Sequence, residues 1–326
     1  MPSGTAGYES LEHEVSSHSL LEQVSPSGAI DTECFPDSIY GAGMCFIVQS
    51  SVTRSRPVHG LSFLIALAMF ANILLQVFAI WSVRVYITYP VVKATRTLYG
   101  EFETVAFVDG IFSQDAFDEW EQEKKDKLCQ LPLSQPAFTM TILFIWTMTL
   151  VIETKQTVLF SVWWLQLPPC DDKPMHIGRA EEDGSVVVQS SSCGMKAIVL
   201  TSILLPKFLI GLFLWWLGAR WLVATTDLEG LVLNAVALSF IVELDEMTFS
   251  ALVPHRAKRT LEKFMITVPL AQGNSNKKVL KWILQMGGTF LVLCVVPPLY
   301  LTYFQHVLPG YRFDVSGPCN VHMLQN

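Results

Sequence analysis

The sequence predicts an all-α, polytopic helical membrane protein with four transmembrane helices and one amphipathic helix on the membrane surface. The 326 residues are 51% hydrophobic with a mean hydropathy of +0.39, and only 16% are charged, against about 25% in soluble domains. The charged residues are clustered, so that long apolar stretches lie between them. Four of these stretches reach the roughly 20 residues that a helix needs to cross a bilayer.

The amino-terminal tail, residues 1–57, precedes the first apolar stretch. Residues 1–33 are polar and poor in aromatic side chains, which is typical of disorder. Residues 34–45 contain a proline, two glycines and aromatic residues, so we expect a small looped cap there. The first 40 residues lack the basic, apolar and small-residue pattern of a cleaved signal peptide, and we expect the first membrane segment to direct targeting.

The transmembrane domain is predicted over residues 58–305. Its expected spans are residues 60–83, 137–167, 197–223 and 280–304, and a tail follows at residues 306–326. In the first span, Asn72 and Gln76 are four residues apart and therefore lie on one face of the helix. Such amides in lipid usually bond to a neighbouring helix.

The second and third spans carry charges that are costly in hydrocarbon. The second span contains Glu153 and Lys155, and the third contains Pro206, which predicts a kink, followed by Lys207. If both helices are continuous, the depths of Glu153 and Lys207 differ by roughly 6 Å. We therefore expect these two side chains to meet, with Lys155 as a rival partner. The alternative is that Glu153 and Lys155 lie in an interfacial break while Lys207 extends to the interface.

Two further helices are predicted outside the spans. Residues 115–128 follow Ser113, a candidate cap, and have the narrow apolar side of a surface helix. Residues 228–253 follow a capping Thr or Asp and begin with an apolar run of about 13 residues, which is too short to cross a bilayer. We expect this helix to lie at the cytoplasmic face; the alternative is a fifth transmembrane helix.

Charge and cysteine placement favour the four-span arrangement with the amino terminus outside. Residues 84–135 and 220–281 then lie in the cytoplasm and hold 14 Lys and Arg residues, against six outside. In the five-span alternative the amino terminus is inside, with 12 such residues inside and eight outside. The four-span arrangement leaves Cys129 on the reducing side. Cysteines expected on the oxidising side, with undetermined pairing, are Cys34, Cys45, Cys170, Cys193 and Cys319.

The sequence contains no recognised catalytic motif. Serine-hydrolase, zinc-protease, phosphate-binding and dinucleotide-binding motifs are all missing. The seven cysteines lack metal-ligand spacing, and no uniformly basic face indicates nucleic acid. We therefore expect a protein that is not an enzyme, with no cofactor, no metal and no nucleic-acid partner.

Two passages, Leu128–Lys155 and Trp221–Pro254, together cover about a fifth of the chain. They resemble a class of uncharacterised multi-pass membrane proteins of unicellular eukaryotes. The resemblance implies a membrane-spanning fold and a defining role for the second passage. Because that class has no assigned activity, the resemblance implies no catalytic residue.

Two functions are predicted for this integral protein of the plasma membrane or an endomembrane. The first is a channel-like or transport-associated subunit, because ionisable groups within spans are functional candidates and acidic groups at a membrane mouth concentrate cations. The alternative is an anchor or scaffold whose segment 228–263 binds a partner or anionic lipid. Self-association is left open. The intramembrane candidates are Asn72, Gln76, Glu153, Lys155 and Lys207, and the cytoplasmic-face candidates are Glu243, Asp245, Glu246, Arg256, Lys258 and Arg259.

Overall fold

The computed structural model describes residues 31–52, 56–170, 174–179, 185–268, 275–308, 311 and 313–325. Four of its helices are long and apolar enough to cross a membrane: Gly60–Ala106, Pro136–Gln166, Cys193–Ala224 and Ile283–Phe304. The predicted all-α polytopic class is therefore confirmed. The predicted disorder of residues 1–30 lies outside the described residues, whereas residues 31–33 belong to a strand.

The first half of the chain forms a helical pair, a compact group of short elements and a long helix. In order, these are β1 (Asp31–Cys34), α1 (Ile39–Val52), α2 (Arg56–Ser82), a π-helical segment (Val83–Thr88), α3 (Tyr89–Ala106), β2 (Phe107–Val108), β3 (Ile111–Phe112), α4 (Gln114–Glu119), α5 (Gln122–Cys129), a 3-10 turn (Pro132–Ser134) and α6 (Pro136–Gln166).

The second half adds two strands, the remaining long helices and a third strand. In order, these are β4 (Met175–Arg179), β5 (Val186–Ser191), α7 (Cys193–Val199), a π-helical segment (Leu200–Leu204), α8 (Leu205–Ala224), α9 (Leu228–Val242), α10 (Leu244–Leu252), α11 (His255–Glu262), β6 (Phe264–Val268), α12 (Ser275–Leu299), a π-helical segment (Tyr300–Phe304) and α13 (Ser316–Gln325).

Residues 34–45 do not form the expected looped cap. Most of them belong to α1, which is buried against α2. Gly43 allows this packing, because a Cβ atom there would lie only 2.8 Å from Met69 Sδ of α2. Gly41 allows the chain before α1 to fold back, because a Cβ atom there would lie only 1.9 Å from the carbonyl oxygen of Pro36. The glycines that predicted a loop are therefore sites of close approach within a helix.

The first long helix continues beyond its predicted end. Residues 84–106, which follow the predicted first span, remain helical through the π-helical segment and α3. The single surface helix predicted over residues 115–128 is instead divided into α4 and α5, because Trp120 between them has an extended backbone. As predicted, Ser113 caps the first of these helices by accepting a hydrogen bond from the backbone N–H of Ala116 at 3.4 Å.

A small four-stranded sheet joins segments that are far apart in sequence. Its strand order is β1-β6-β5-β4, with β6 antiparallel to β1 and parallel to β5. Ile266 of β6 lies between Glu33 and Val188 in register. The sheet defines one end of the helical bundle, called here the sheet end.

The other end of the bundle is held by a disulfide between Cys129 and Cys319, which are 190 residues apart in sequence. This end, called here the disulfide end, contains α4, α5 and α13. The bond corrects the expectation that Cys129 and Cys319 lie on opposite sides of the membrane. The remaining described cysteines are free: Cys34, Cys45, Cys170, Cys193 and Cys294.

The sheet also shows the path of residues 228–253 along the bundle. The chain enters α7 directly after β5 at the sheet end, and α8 finishes near α3, where Thr95 Oγ1 donates to the carbonyl oxygen of Ala224 at 3.0 Å. Because β6 lies at the sheet end again, α9 and α10 must return along the bundle. Together they span about 37 Å at 1.5 Å per residue. The four predicted membrane-spanning helices are present, and Leu228–Val242 is a shorter apolar helix that packs along the bundle.

Helices α6 and α8 form the closest long contact in the bundle centre. A Cβ atom at Gly218 would lie 2.5 to 2.8 Å from indole atoms of Trp146, so the two helices approach through this glycine. Trp146 Nε1 donates to the carbonyl oxygen of Trp215 at 3.2 Å, and Trp215 Nε1 donates to Thr147 Oγ1 at 3.1 Å. These bonds fix the axial position of α6 relative to α8 and thereby align their charged residues.

Candidate functional site

An ion-paired cluster inside the bundle joins three helices. Lys207 of α8 places its Nζ atom 3.0 Å from Asp245 Oδ2 of α10 and 3.3 Å from Glu153 Oε2 of α6. The side chains of Lys207, Asp245 and Glu153 are 16%, 3% and 23% exposed. The predicted Glu153–Lys207 contact is therefore present, but Asp245 is the closer and more deeply buried partner.

Helix geometry explains why Lys207 and Glu153 meet. Lys207 lies 14 residues after Cys193, or about 21 Å along its helix, and Glu153 lies 13 residues before Gln166, or about 20 Å. The helices run antiparallel from the sheet end, so the two charged side chains lie at nearly the same depth. Pro206 stands in the first turn of α8, directly after a π-helical segment.

The acidic residues predicted to form a cytoplasmic-face cluster are divided by the structure. Asp245 points into the bundle, whereas Glu243 and Glu246 are exposed. Helical periodicity places Asp245 on the apolar side of residues 228–253. The packing of this segment along the bundle brings Asp245 to Lys207. Lys155 takes part in none of the ion pairs among the described residues, so it is not the partner of Glu153.

The basic candidates form a separate group at the sheet end. Arg256, Lys258 and Arg259 belong to α11, beyond the end of α10. Lys258 Nζ donates to the carbonyl oxygen of Ser250 at 3.0 Å and lies 5.1 Å from the ring centre of Phe249. These residues therefore do not contribute to the Lys207 cluster.

Two buried amides extend the cluster toward the first span. Tyr40 of α1 donates from its hydroxyl to Gln76 Oε1 at 2.8 Å, and the Lys207 ammonium lies 5.4 Å from the Tyr40 ring centre. Thr248 of α10 donates to Asn72 Oδ1 at 3.0 Å. Each predicted amide thus bonds to a neighbouring helix. Tyr40 was not expected here, because nothing in its local sequence indicates contact with the third span.

Two cavities meet at Lys207. The inner cavity of about 30 Å³ is lined by Glu153, Lys207 and Asp245 together with Tyr40 and Gln76, and this volume is enough for a water molecule. The outer cavity, called here the recess, has a volume of about 450 Å³. Its wall includes Lys207, and its other polar lining residues are Glu33, Cys34, Asp37, Ser38, Gln156 and Glu246.

The electrostatic character of this region is acidic. Two carboxylates face one ammonium group in the cluster, and three further carboxylates, those of Glu33, Asp37 and Glu246, line the recess. Low-dielectric walls lined by one sign of charge raise the local concentration of counter-ions. Within the part of the chain that the structure describes, no group of three His, Cys, Asp or Glu side chains is arranged to hold a metal ion.

No protein-family model, curated protein or solved structure matches this chain. The resemblance of residues 128–155 and 221–254 to multi-pass membrane proteins of unicellular eukaryotes therefore stays an expectation. What is established is a polytopic helical protein whose four long apolar helices indicate membrane association.

Proposed function

We propose that the protein is a channel-like or transport-associated membrane protein in which the Lys207 cluster controls the passage of protons or small cations. The observation that carries this proposal is the position of Lys207, which borders both the recess and the inner cavity. Charges that served only to hold a dry bundle together would need no such access to water. Ionisable groups that face cavities within spans are typical of ion and proton pathways.

The chemistry of the cluster suggests how it acts. The acidic recess attracts cations, and a cation that reaches the cluster competes with the Lys207 ammonium for Asp245 and Glu153. A proton bound by either carboxylate has the same effect, since it removes one attractive partner. In both cases Lys207 is released and α6, α8 and α10 lose the contact that joins them.

Ion flux into liposomes containing the purified protein tests this proposal. We expect the wild-type protein to dissipate a proton, sodium or potassium gradient faster than protein-free liposomes do. Lys207→Met leaves the buried carboxylate of Asp245 without its cation, and Asp245→Asn leaves Lys207 paired with Glu153 alone. We expect either change to alter the flux rate at least about tenfold.

The control variant is Lys127→Met, which removes an exposed lysine that pairs with Glu123 at the disulfide end. It loses the same charge as Lys207→Met, and we expect wild-type flux from it. Flux at the protein-free level for all three ions, from a wild-type protein shown to be folded, would contradict a transport function.

The second candidate is a membrane anchor or scaffold, favoured by the structure of α11. Ala257 and Leu261 are buried on one face of this helix, whereas Arg256 and Arg259 are exposed at the sheet end. A basic face beside a membrane attracts anionic lipid or an acidic partner. Native mass spectrometry with phosphatidylserine distinguishes this candidate, because Arg256→Gln combined with Arg259→Gln would then reduce the number of bound lipids while leaving ion flux unchanged.

A further inference from the structure

Three arginines lie on two neighbouring long helices toward the disulfide end. Arg84 belongs to the π-helical segment after α2, Arg96 belongs to α3 and Arg220 lies one turn before the end of α8. Helix α8 packs against both other segments. Thr95, the neighbour of Arg96, donates to the carbonyl oxygen of Ala224, one turn after Arg220, at 3.0 Å, so the helix turns that carry Arg96 and Arg220 are adjacent. We call these residues the arginine cluster.

The arginine cluster has no acidic partner among the described residues. None of the ion pairs in that part of the chain includes Arg84, Arg96 or Arg220. This contrasts with Lys207, which has two carboxylates within ion-pair distance in the same bundle. Three cations that repel one another beside apolar helices are stabilised when an anion joins them.

The donors of the cluster are only partly used. Arg220 Nε is buried and has no hydrogen-bond acceptor, while the guanidinium group lies 5.6 Å from the ring centre of Trp216. Arg96 Nε donates to the carbonyl oxygen of Val307 at 2.7 Å, and its Nη2 donates to the carbonyl oxygen of His306. These bonds leave further N–H groups of Arg96 available and hold its side chain in place.

Exposed aromatic residues indicate the depth of the arginine cluster in the membrane. Trp81, Tyr86 and Tyr89 flank Arg84 in sequence and are 48%, 67% and 68% exposed. The rings of Trp81 and Tyr86 are in edge contact, with centres 5.7 Å apart. Trp and Tyr are enriched at the level of the lipid headgroups, so the cluster lies where phosphate groups are concentrated.

We propose that the arginine cluster is a binding site for a phosphate group, with a phospholipid headgroup as its source. The planar guanidinium forks of arginine match the oxygens of phosphate in two-bond contacts. A phosphate held between Arg84 and Arg220 accepts hydrogen bonds from their terminal Nη–H groups and offsets the mutual repulsion of the positive charges. The site is separate from the Lys207 cluster and does not depend on the proposed transport function.

Thermal unfolding of the delipidated protein in a neutral detergent, titrated with phosphatidic acid, tests the site. We expect phosphatidic acid to raise the wild-type Tm in a saturable manner. The double variant Arg84→Gln with Arg220→Gln should weaken the apparent Kd at least about tenfold, since each change removes charge-assisted hydrogen bonds. Lys127→Gln removes one positive charge from the exposed surface at the same end and should leave the Kd unchanged.

Two further titrations identify the source of the phosphate. A shift with phosphatidic acid but not with inorganic phosphate assigns the site to a lipid headgroup, whereas a saturable shift with inorganic phosphate assigns it to a soluble phosphate compound. The single variant Arg84→Gln, at an exposed position, covers the case in which the double variant does not fold. Wild-type Kd values from this variant, or the lack of any shift with either ligand, would overturn the proposal.

Discussion

At the scale of single residues, Lys207 has the most demanding environment in the protein. An ammonium group inside a helical bundle loses most of its hydration, and only close carboxylates compensate for this loss. Asp245 at 3.0 Å and Glu153 at 3.3 Å provide them from two different helices. One side chain therefore links α6, α8 and α10, and the stability of the bundle depends on all three charges together.

Removing single members of this cluster should be more damaging than removing a matched pair. We expect Asp245→Asn to lower the free energy of unfolding by about 1.5–3 kcal/mol, because Lys207 loses its closer and more deeply buried carboxylate while Glu153 remains at 3.3 Å. Glu153→Gln should cost less, since Glu153 is the more exposed partner. We would measure denaturant unfolding of Asp245→Asn, Lys207→Met and the double variant. The coupling free energy between the two positions should be about 1–3 kcal/mol. If the losses of unfolding free energy are simply additive, the contact does not contribute to stability.

The Cys129–Cys319 bond is the second residue-scale feature with a measurable consequence. It closes a loop of about 190 residues, and such cross-links stabilise folded proteins by about 2–5 kcal/mol. We expect Cys129→Ser combined with Cys319→Ser to lower the Tm and to abolish the mobility difference between reduced and non-reduced samples in gel electrophoresis. Cys294→Ser, which changes a free cysteine of α12, is the control and should preserve both properties.

At the scale of elements, the contact between α6 and α8 depends on Gly218, which has no side chain. Gly218→Ala would place a methyl group 2.5 Å from the Trp146 indole, and overpacking of this kind costs about 1–3 kcal/mol. Gly211→Ala in the same helix is the control, because its nearest neighbour is Thr154 Oγ1 at 3.8 Å. We expect the Tm to fall for Gly218→Ala and to stay unchanged for Gly211→Ala. Equal Tm values for the two variants would mean that the helices do not approach at Gly218.

Elements with a strong local signal were predicted well. Length and hydropathy identified the four long helices, and counting residues along two of them predicted the Glu153–Lys207 contact. Local sequence failed where long-range packing decides the structure. Gly41 indicated a loop but permits a buried helix, and the apolar run of about 13 residues before Glu243 predicted a surface helix, which did not indicate that Asp245 is buried inside the bundle. Asp245 is tolerated there because Lys207 pairs with it, a partner that no local pattern reveals.

The sheet shows the same limit at longer range. Its strands have four to six residues each, and the pairing of β1, β6 and β5 joins positions more than 70 residues apart. Without the register between Val188 and Ile266, the return of α9 and α10 through the bundle cannot be deduced. The predicted orientation depends on this path, since one additional passage would reverse the side assigned to every segment that follows it.

At the scale of the whole molecule, charge and cysteine chemistry give one consistent orientation. Twelve Lys and Arg residues lie in the segments that connect to the sheet end, which are residues 1–57, 168–196 and 254–281. The segments that connect to the disulfide end contain eight. Basic residues accumulate on the cytoplasmic side of membrane proteins, whereas disulfides persist in oxidising compartments. The exposed free thiols of Cys34 and Cys193 lie at the sheet end. We therefore expect the sheet end to face the cytoplasm.

Epitope tags at the two ends test the chain path and the orientation together. One insertion belongs between Asp109 and Gly110, an exposed turn near the disulfide end, and the other between Val268 and Ser275, after the last strand of the sheet. In sealed microsomal vesicles, whose outer surface is cytoplasmic, protease should remove the second tag and spare the first until detergent is added. Protection of the second tag with cleavage of the first would reverse the orientation but retain the path. Cleavage of both would show that α9 and α10 do not carry the chain back across the bilayer, because five crossings must leave these two insertions on opposite sides.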